Sequence, residues 1–429
     1  MRWAPAMLLV GILCVGSAAA QLSTEDIEAL RQQGKAEGWT FSVAENPATK
    51  RPMEELCGLV EPPNWRADAR FTKFEAKDGL PASFDWRPLG GCTPIKSQRA
   101  CGSCWAFATV GAFECSILIK DGEVVNLAEQ WLVSCNQETE TPHVLGKGGW
   151  GCNGGWWAHD YFTGAKTDPC GDSGAVLTGY CPYYGYAAPC GCPYPHDYAM
   201  DSWAFIAGED VIPEVNAIKE AIMLYGPVCA AVYVNNAFRS YDNGVFNDSA
   251  DREVNHAIVL VGWDDEQGTS GVWILRNSWN YAWGEGGYMR IEYGCSRVGY
   301  GACYVNYAGR GQGVPPAITS QPGGGVTPQG WYRYLSVAAT GVGTLHYQWQ
   351  RDGEDVGTDS PVYAIQHATP ADSGTYTCRV RDARGVAVSD PAELLVDPSL
   401  PVPATGFFGL SLLGILCGLA ARRSLSSAR

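Results

Sequence analysis

The sequence is short of positive charge. It has 30 lysine and arginine residues against 45 aspartate and glutamate residues, so its formal net charge is −15 over 429 residues. Nucleic acid and anionic membranes would repel such a chain, and both are therefore discounted as partners. Internal repeats are also missing. The length, in contrast, is ample, and at about 150 residues per domain it favours two or three folded parts plus processing segments.

A long apolar run is missing from the C-terminal tail. There Val402-Pro403-Ala404-Thr405-Gly406 precedes an apolar stretch from Phe407 to Ala421 and then Arg422-Arg423. A membrane-spanning helix needs about 20 apolar residues, so this stretch is short. Residues 398–429 are predicted to be either a plain membrane anchor or a cleaved sorting signal.

Residues 1–20 have the three parts of a secretory signal. Arg2 is followed by an apolar run from Met7 to Val15 and then by Ala18-Ala19-Ala20 before Gln21. Cleavage is predicted after Ala20, and a buried N-terminal helix is the alternative. Export places the chain in an oxidising compartment, where its 17 cysteines favour disulfides over metal sites. No cofactor and no metal are predicted.

Composition divides the remaining chain into further parts. Residues 21–79 are polar and charged and are predicted to be a propeptide, which opens with a helix start at Ser23-Thr24-Glu25-Asp26. Residues 80–309 are dense in Trp, Tyr, Gly and Cys, and are predicted to be the catalytic domain. Residues 310–330 are rich in Gly and Pro and predict a linker. The linker overlaps the start of a domain at 315–397, whose short alternating stretches are typical of a small antiparallel sandwich.

Three segments of the central part carry candidate catalytic side chains. Cys104 opens an apolar run predicted to be a buried helix, where free backbone N–H groups and the helix dipole favour a thiolate before substrate arrives. His256 precedes a continuous apolar stretch typical of a buried strand, and a structural histidine is its usual alternative. Asn277 ends another apolar stretch and could accept a hydrogen bond from the imidazole N–H.

These segments resemble the papain family of cysteine peptidases in their order along the chain and in the residues around each candidate side chain. The resemblance covers about residues 80–308. The resemblance also covers three shorter segments, Leu132-Val133-Ser134-Cys135, Gly151-Cys152-Asn153-Gly154-Gly155 and Tyr225-Gly226-Pro227-Val228. It implies an α+β fold of two lobes, one helical and one like a β-barrel. The C-terminal part would follow as a separate all-β sandwich.

The resemblance implies a role for each candidate residue. Cys104 attacks the scissile carbonyl, His256 forms an ion pair with it and later protonates the leaving amine, and Asn277 orients the ring. The side-chain amide of Gln98 and the backbone N–H of Cys104 form the oxyanion hole.

Four other residues would support the site. Gly154 and Gly155 offer backbone to an extended substrate, and Trp279 shields the hydrogen bond between Asn277 and His256. Gly102 is also predicted to be a substrate-binding or supporting residue. Two departures from the family pattern, Arg99 and Asn280, stand where glycine is usual, and altered specificity or rate is expected from them.

The resemblance also implies disulfides, namely Cys101 with Cys152, and Cys135 with either Cys190 or Cys192. Five cysteines are left unassigned: Cys92, Cys115, Cys229, Cys295 and Cys303. An insertion from Cys170 to His196 stands where cathepsin B has a loop that blocks the cleft. It lacks the paired histidines of that loop and is predicted to be a disulfide-stapled surface loop.

Papain-like enzymes are usually kept latent by a propeptide that lies across the cleft. The segment from Trp39 to Asn46 is predicted to do so here, with a cut near Leu80. The predicted C-terminal domain resembles an immunoglobulin-like domain, with Trp349 in its core and Tyr376 at its corner. Val337 takes the place of the cysteine that would pair with Cys378, which is predicted to be a buried free thiol.

The predicted function is that of a secreted or surface-tethered cysteine endopeptidase that hydrolyses proteins or peptides through a Cys104 thioester. The chain is made as a zymogen, is expected to be a monomer, and could bind a cell-surface ligand through its immunoglobulin-like domain. Its tail resembles bacterial sorting signals and would retain it at the cell surface or membrane. Two alternatives stay open, a surface adhesin on an inactive peptidase scaffold and a peptide ligase that uses the same acyl-enzyme.

Overall fold

The computed structural model describes residues 21–67, 69–74, 79–139, 149–208, 211–249, 252–310, 315–341, 345–382 and 384–400. The predicted signal at 1–20 and the tail from residue 401 lie outside the described residues. Within the described ranges, no helix combines the length and the apolar character that crossing a bilayer requires.

The predicted propeptide region begins with a capped helix. The Ser23 side chain accepts a hydrogen bond from the Asp26 backbone N–H, and the Asp26 carboxylate accepts one from the Ser23 backbone, which is the expected helix start. Gly38 ends the helix in the left-handed conformation at φ 72°. The elements of this region are α1 (Thr24–Glu37), β1 (Thr40–Val43), α2 (Met53–Leu56) and β2 (Phe71–Thr72).

The central domain has a helical part built around one long buried helix, α3. Its side chains are buried from Cys104 to Ile117, because the segment is apolar on nearly every side, as the sequence predicted. A strand precedes it and smaller helices surround it. These elements are β3 (Ser83–Asp85), α3 (Cys104–Asp121), α4 (Glu129–Cys135) and α5 (Asp160–Thr163).

The second part of the central domain is a large, mostly antiparallel sheet. The elements that follow α5 are β4 (Ser202–Ile206), α6 (Val215–Tyr225), β5 (Val228–Val232), α7 (Asn236–Arg239), β6 (Tyr241–Phe246), β7 (His256–Asp264), β8 (Val272–Arg276), β9 (Tyr288–Glu292), a 3₁₀ turn (Cys295–Arg297) and β10 (Tyr300–Asn306). The strand order is β1-β6-β9-β8-β7-β5-β10-β4-β2, with β3 paired to β7. The predicted α+β class with a helical and a β-rich lobe is therefore confirmed.

Both edges of this sheet are formed by the predicted propeptide. Strand β1 pairs antiparallel with β6, and β2 pairs parallel with β4. The prediction that the segment from Trp39 to Asn46 covers the cleft is therefore wrong. Its alternating residues form an edge strand, and the Phe41 ring packs on Phe246 with 4.5 Å between ring centroids.

The C-terminal part is an all-β unit with its own core. Its elements are β11 (Ala317–Ser320), β12 (Gly325–Pro328), β13 (Arg333–Ser336), β14 (Ala338–Thr340), β15 (His346–Arg351), β16 (Glu354–Val356), β17 (Val362–Ile365), a 3₁₀ turn (Pro370–Asp372), β18 (Gly374–Arg381), β19 (Val386–Val388) and β20 (Ala392–Asp397). Strands β11 and β12 occupy much of the stretch predicted as a linker, where the sequence expected an overlap with this domain.

Aromatic residues organise the core of this unit as the sequence predicted. Trp349 and Tyr376 are fully buried, and the Tyr376 hydroxyl donates to the Asp372 carbonyl at 2.8 Å, which is the corner arrangement of immunoglobulin-like folds. Cys378 is a buried free thiol in the same core as Val337.

Candidate active site

Cys104 is the first residue of α3, which places its thiol at the helix N-terminus. The thiol is completely buried. It accepts a hydrogen bond from the backbone N–H of Gly58 at 3.3 Å, and Gly58 belongs to the predicted propeptide. The predicted nucleophile is thus in direct contact with the predicted propeptide, residues 21–79, which is called the leader below.

His256 begins β7, in which the next seven residues, Ala257 to Trp263, are apolar and buried. The strand holds the imidazole rigidly, and Nε2 lies 2.8 Å from Asn277 Oδ1 at the end of β8. Because the Asn277 oxygen also accepts the Ser278 backbone N–H, it acts as an acceptor and fixes the imidazole proton on Nε2. Nδ1 is buried without a hydrogen-bond partner in the described chain, and the Trp279 ring covers the imidazole at 4.6 Å.

Gln98 is held beside the nucleophile by its side-chain oxygen. Oε1 accepts a hydrogen bond from the Ser278 hydroxyl at 2.7 Å, which directs the amide nitrogen toward the cleft. That nitrogen lies 3.1 Å from the Leu56 carbonyl oxygen. A leader carbonyl therefore occupies the donor that is predicted to stabilise an oxyanion.

The leader crosses the cleft from the Leu56 carbonyl, at the end of α2, and continues as an extended segment from Cys57 to Val60. Gly155 donates its backbone N–H to the Gly58 carbonyl at 3.0 Å and accepts one from Val60 at 3.0 Å, in a parallel pairing centred on Leu59. Gly155 thus offers its backbone to an extended chain, the role that the resemblance implies for it.

Glycines allow the leader backbone to lie this close to the backbone of the central domain. A Cβ on Gly58 would lie 1.7 Å from the Gly102 carbonyl oxygen, far inside any real contact distance. Gly154 has φ 134°, a conformation that disfavours other residues, and Val60 packs against it.

Burial under the leader changes the charges of the catalytic pair. Burial raises the pKa of the Cys104 thiol to about 11, although backbone N–H groups of Ala257 and Gly58 oppose the rise. Burial also lowers the pKa of His256 to about 4, although the hydrogen bond that its ring donates to Asn277 opposes the fall. Both groups are therefore neutral near pH 7 in the covered state. The expectation of a thiolate formed before substrate arrives concerns the open site, and it stays a prediction.

The two departures from the usual glycines keep a glycine-like backbone. Arg99 has φ 52° and Asn280 has φ 77°, both in the left-handed region. The Arg99 side chain points along the 170–196 insertion and donates to the Tyr183 carbonyl at 3.4 Å.

The insertion at residues 170–196 is held by disulfides and by hydrogen bonds. Disulfides join Cys135 to Cys190 and Cys170 to Cys192, and a third joins Cys101 to Cys152. The structure thus places Cys190 beside Cys135, while Cys192 has a different partner. The Tyr183 hydroxyl donates to the Gln98 carbonyl at 2.7 Å. The insertion therefore contacts Gln98, the residue predicted to form the oxyanion hole, and sequence reasoning missed this link.

Two groups of side chains have metal-ligand atoms close together in the described chain. One contains Cys170 and Cys192, which are joined to each other. The other, His159, Cys229 and Cys303, is fully buried in the core, where β5 pairs with β10. Three ligands at one buried point could hold a metal, although none was predicted from the sequence.

The structure brings Gln98, Gly102, Cys104, Gly155, His256, Asn277 and Trp279 together around one cleft. Sequence reasoning missed the stretch from Leu56 to Val60, which fills that cleft. A single glycine between apolar residues was its only sequence signal, and that pattern is too common to be informative by itself.

Comparisons with known proteins agree with this geometry. The model of the papain family of cysteine proteases matches residues 80–308, and an immunoglobulin domain model matches residues 316–396. Mouse pro-cathepsin H is 34% identical over 276 residues, which cover 62% of this chain and 76% of the relative. Pineapple fruit bromelain is 30% identical over 232 residues, which are 53% of this chain and 59% of the relative.

Solved structures give the same result. Digestive procathepsin L2 from Tenebrio molitor larval midgut superposes with a TM-score of 0.55 at 26% identity, over 66% of this chain and 89% of the other. The chain spans less than two thirds of the first relatives it matches, 59% of fruit bromelain and 54% of an Arabidopsis thaliana cysteine endopeptidase. Because the family model covers more than half of the sequence, this chain belongs to the papain family of cysteine proteases.

Proposed function

We propose that this chain is an exported cysteine endopeptidase, made as a latent proenzyme that hydrolyses peptide bonds in proteins. One observation carries the proposal. Gln98, Cys104, His256 and Asn277 converge on one cleft, and the leader segment from Cys57 to Val60 fills it as an extended peptide. A site that accepts an extended backbone next to a thiol and an oriented imidazole suits acyl transfer from peptides.

The reaction would follow from these positions once the leader is removed. Hydration of the cleft lets the Cys104 proton pass to His256 Nδ1, and the thiolate attacks the peptide carbonyl carbon. The resulting oxyanion accepts hydrogen bonds from the Gln98 amide and the Cys104 backbone N–H. His256 returns its proton to the leaving amine, which leaves a thioester on Cys104. A water molecule then gives a proton to His256 while its oxygen attacks the thioester carbon. The C–S bond breaks, the acid product leaves, and the Cys104 thiolate recovers the proton from His256.

The location of the enzyme is part of the proposal. Three disulfides in the described chain fit folding in an oxidising compartment, which supports export by residues 1–20. We further propose that the tail retains the enzyme at the cell surface, and that the immunoglobulin-like unit acts as a spacer or binds a surface ligand. Protein or peptide substrates, a monomeric state and no nucleic-acid partner complete the proposal.

Covalent labelling tests the catalytic assignment. The full chain is produced under oxidising conditions, matured at mildly acidic pH and treated with an epoxide thiol inhibitor, with Cys104→Ala as the control. The expected result is a single label on Cys104, found by mass spectrometry, with loss of peptide hydrolysis. If the matured chain shows neither label nor hydrolysis, the enzyme proposal fails and a binding role for the scaffold gains support. Ligated rather than hydrolysed products would favour the ligase alternative.

A further inference from the structure

Arg239 is a buried cation in the wall of the cleft that no step of the proposed reaction uses. It is the last residue of α7 and is only 1% exposed. Its carbonyl oxygen accepts a hydrogen bond from Trp283 Nε1 at 3.1 Å, and the Trp283 ring lies 5.2 Å from that of Trp279. Arg239 therefore contacts the side of the cleft that is formed by Trp279 and Trp283, which we call the aromatic wall. Trp279 of this wall also covers His256.

This wall stands on the leaving-group side of the scissile bond. The leader strand places Gly58 at Cys104 and Leu59 beside Gly155, while the preceding Leu56 carbonyl lies 3.4 Å from Trp279 Nε1. Gly155 and Trp279 thus mark opposite ends of the cleft. Because His256 must protonate the leaving amine and its ring packs on Trp279, the amine departs toward the Trp279 end.

Within the described residues, the groups that act on the charge of the Arg239 guanidinium belong to the leader. Its guanidinium donates through Nη1 to the Arg51 carbonyl at 2.9 Å, and Nε is buried with no acceptor. The carboxylates that act on its charge are Asp26 and Glu54. In the described part of the chain, no carboxylate approaches Arg239 to ion-pair distance.

Removal of residues 21–79 would therefore uncover an arginine without an anionic partner. Arginine stays charged even where burial lowers its pKa, as it does here, and its planar fork suits bidentate binding of a carboxylate. In the covered state this guanidinium already donates to an oxygen acceptor of the leader, the Arg51 carbonyl, and a substrate carboxylate would supply oxygen acceptors in its place.

We propose that Arg239 is a specificity-determining residue that binds a carboxylate on the leaving-group part of the substrate. The inference rests on the proposed peptidase function and deepens it. The carboxylate has two possible sources, an acidic side chain just beyond the scissile bond or the C-terminal carboxylate of a short peptide. The first source makes the enzyme selective for acidic sequences, and the second gives it a carboxypeptidase-like activity.

Matched peptides separate these sources. Four fluorogenic peptides share one acyl part and differ beyond the scissile bond, with glutamate, lysine or alanine in amidated peptides and alanine in a peptide with a free C-terminal carboxylate. For the matured wild type, kcat/KM should be about tenfold higher on a peptide that offers the bound carboxylate than on the amidated alanine peptide. Arg239→Gln should remove this preference mainly through KM and leave hydrolysis of the alanine peptide in place.

Arg87→Gln is the matched control, because Arg87 is bound by Asp85 at β3 and should keep the wild-type preference. If Arg239→Gln does not fold, the wild type still decides the matter, since the preference should weaken as salt is raised from 0.01 M to 1 M. Equal rates on all four peptides, with Cys104 labelled normally, would overturn the inference and leave the peptidase function standing. Absence of both hydrolysis and labelling would overturn both.

Discussion

Gly58 lets the leader cover the cleft because it has no side chain. Its backbone N–H reaches the Cys104 thiol only because nothing separates it from the Gly102 carbonyl. Gly58→Ala would place a methyl group 1.7 Å from that oxygen, which belongs to the backbone and cannot rotate away. We expect this variant to lose the covered state, with Cys104 in the unprocessed chain labelled at least tenfold faster by an epoxide inhibitor.

Gly179→Ala is a suitable control, because a Cβ at Gly179 would meet no atom within 4 Å. The control should be labelled as slowly as the unprocessed wild type. Equal, slow labelling of both variants would show that contacts other than Gly58 keep the leader in place.

The pKa of His256 predicts how pH acts on the covered state. Burial lowers that pKa from 6.5 to about 4, so the covered state binds this proton less readily than an open, hydrated site. Covering is therefore fully favourable above pH 6.5 and is lost progressively as the pH falls toward 4. At about 1.4 kcal/mol per pH unit, acidification weakens covering by roughly 3 kcal/mol.

Labelling kinetics measure this effect. The ratio of Cys104 labelling rates in the unprocessed and mature enzymes should rise more than tenfold between pH 6.5 and pH 4. The ratio removes the ordinary pH dependence of the inhibitor reaction. A ratio that stays flat over this range would mean that His256 does not control opening.

At the scale of elements, strand β1 attaches the leader to the sheet. Phe41 packs on Phe246 and stacks on Trp39 with ring centroids 4.6 Å apart. Phe41→Ala should reduce the free energy of unfolding of the proenzyme by about 2 kcal/mol through lost burial. Denaturant titration in a Cys104→Ala background, which prevents self-cleavage, measures the change.

The mature enzyme no longer contains Phe41, so its stability after processing should be unchanged by the same substitution. A loss confined to the proenzyme would assign the contact to leader docking. An unchanged proenzyme would mean that β1 contributes little to docking.

Elements with strong local patterns could be predicted from the sequence. The helix that starts at Cys104 and the strand that starts at His256 are long and apolar, so they are stable only in the core of the protein. The capping box could likewise be predicted from four consecutive residues, Ser23 to Asp26. Their meeting with Asn277 and Gln98 came from family resemblance, since no local pattern encodes a contact between distant segments.

The path of the leader could not be predicted, because an alternating segment suits a sheet edge as well as a cleft. Trp39 to Asn46 has the better strand pattern and takes the edge of the sheet, while the less regular stretch from Leu56 to Val60 enters the cleft. The cleft selects for the small size of Gly58 rather than for strand propensity. Only the shape of the folded enzyme reveals that requirement.

At the scale of the whole molecule, the C-terminal unit has a core of its own. The buried residues of that core run from Leu335 to Val396, and the cores of the central domain end at Tyr307. A chain that ends after Gly309 should therefore keep its kcat/KM on short peptides within about twofold of the full matured chain. A fluorogenic peptide assay checks this, and a larger loss would show that the C-terminal unit supports the catalytic domain.

The two edge strands of the leader have a consequence for the life of the enzyme after processing. Loss of β1 and β2 leaves β6 and β4 with rows of free backbone N–H and C=O groups, which are templates for another chain. The proenzyme is therefore expected to stay dispersed at higher concentrations than the processed enzyme. Removal of the leader would uncover two strand edges at the same time as the cleft, so activation would also favour self-association.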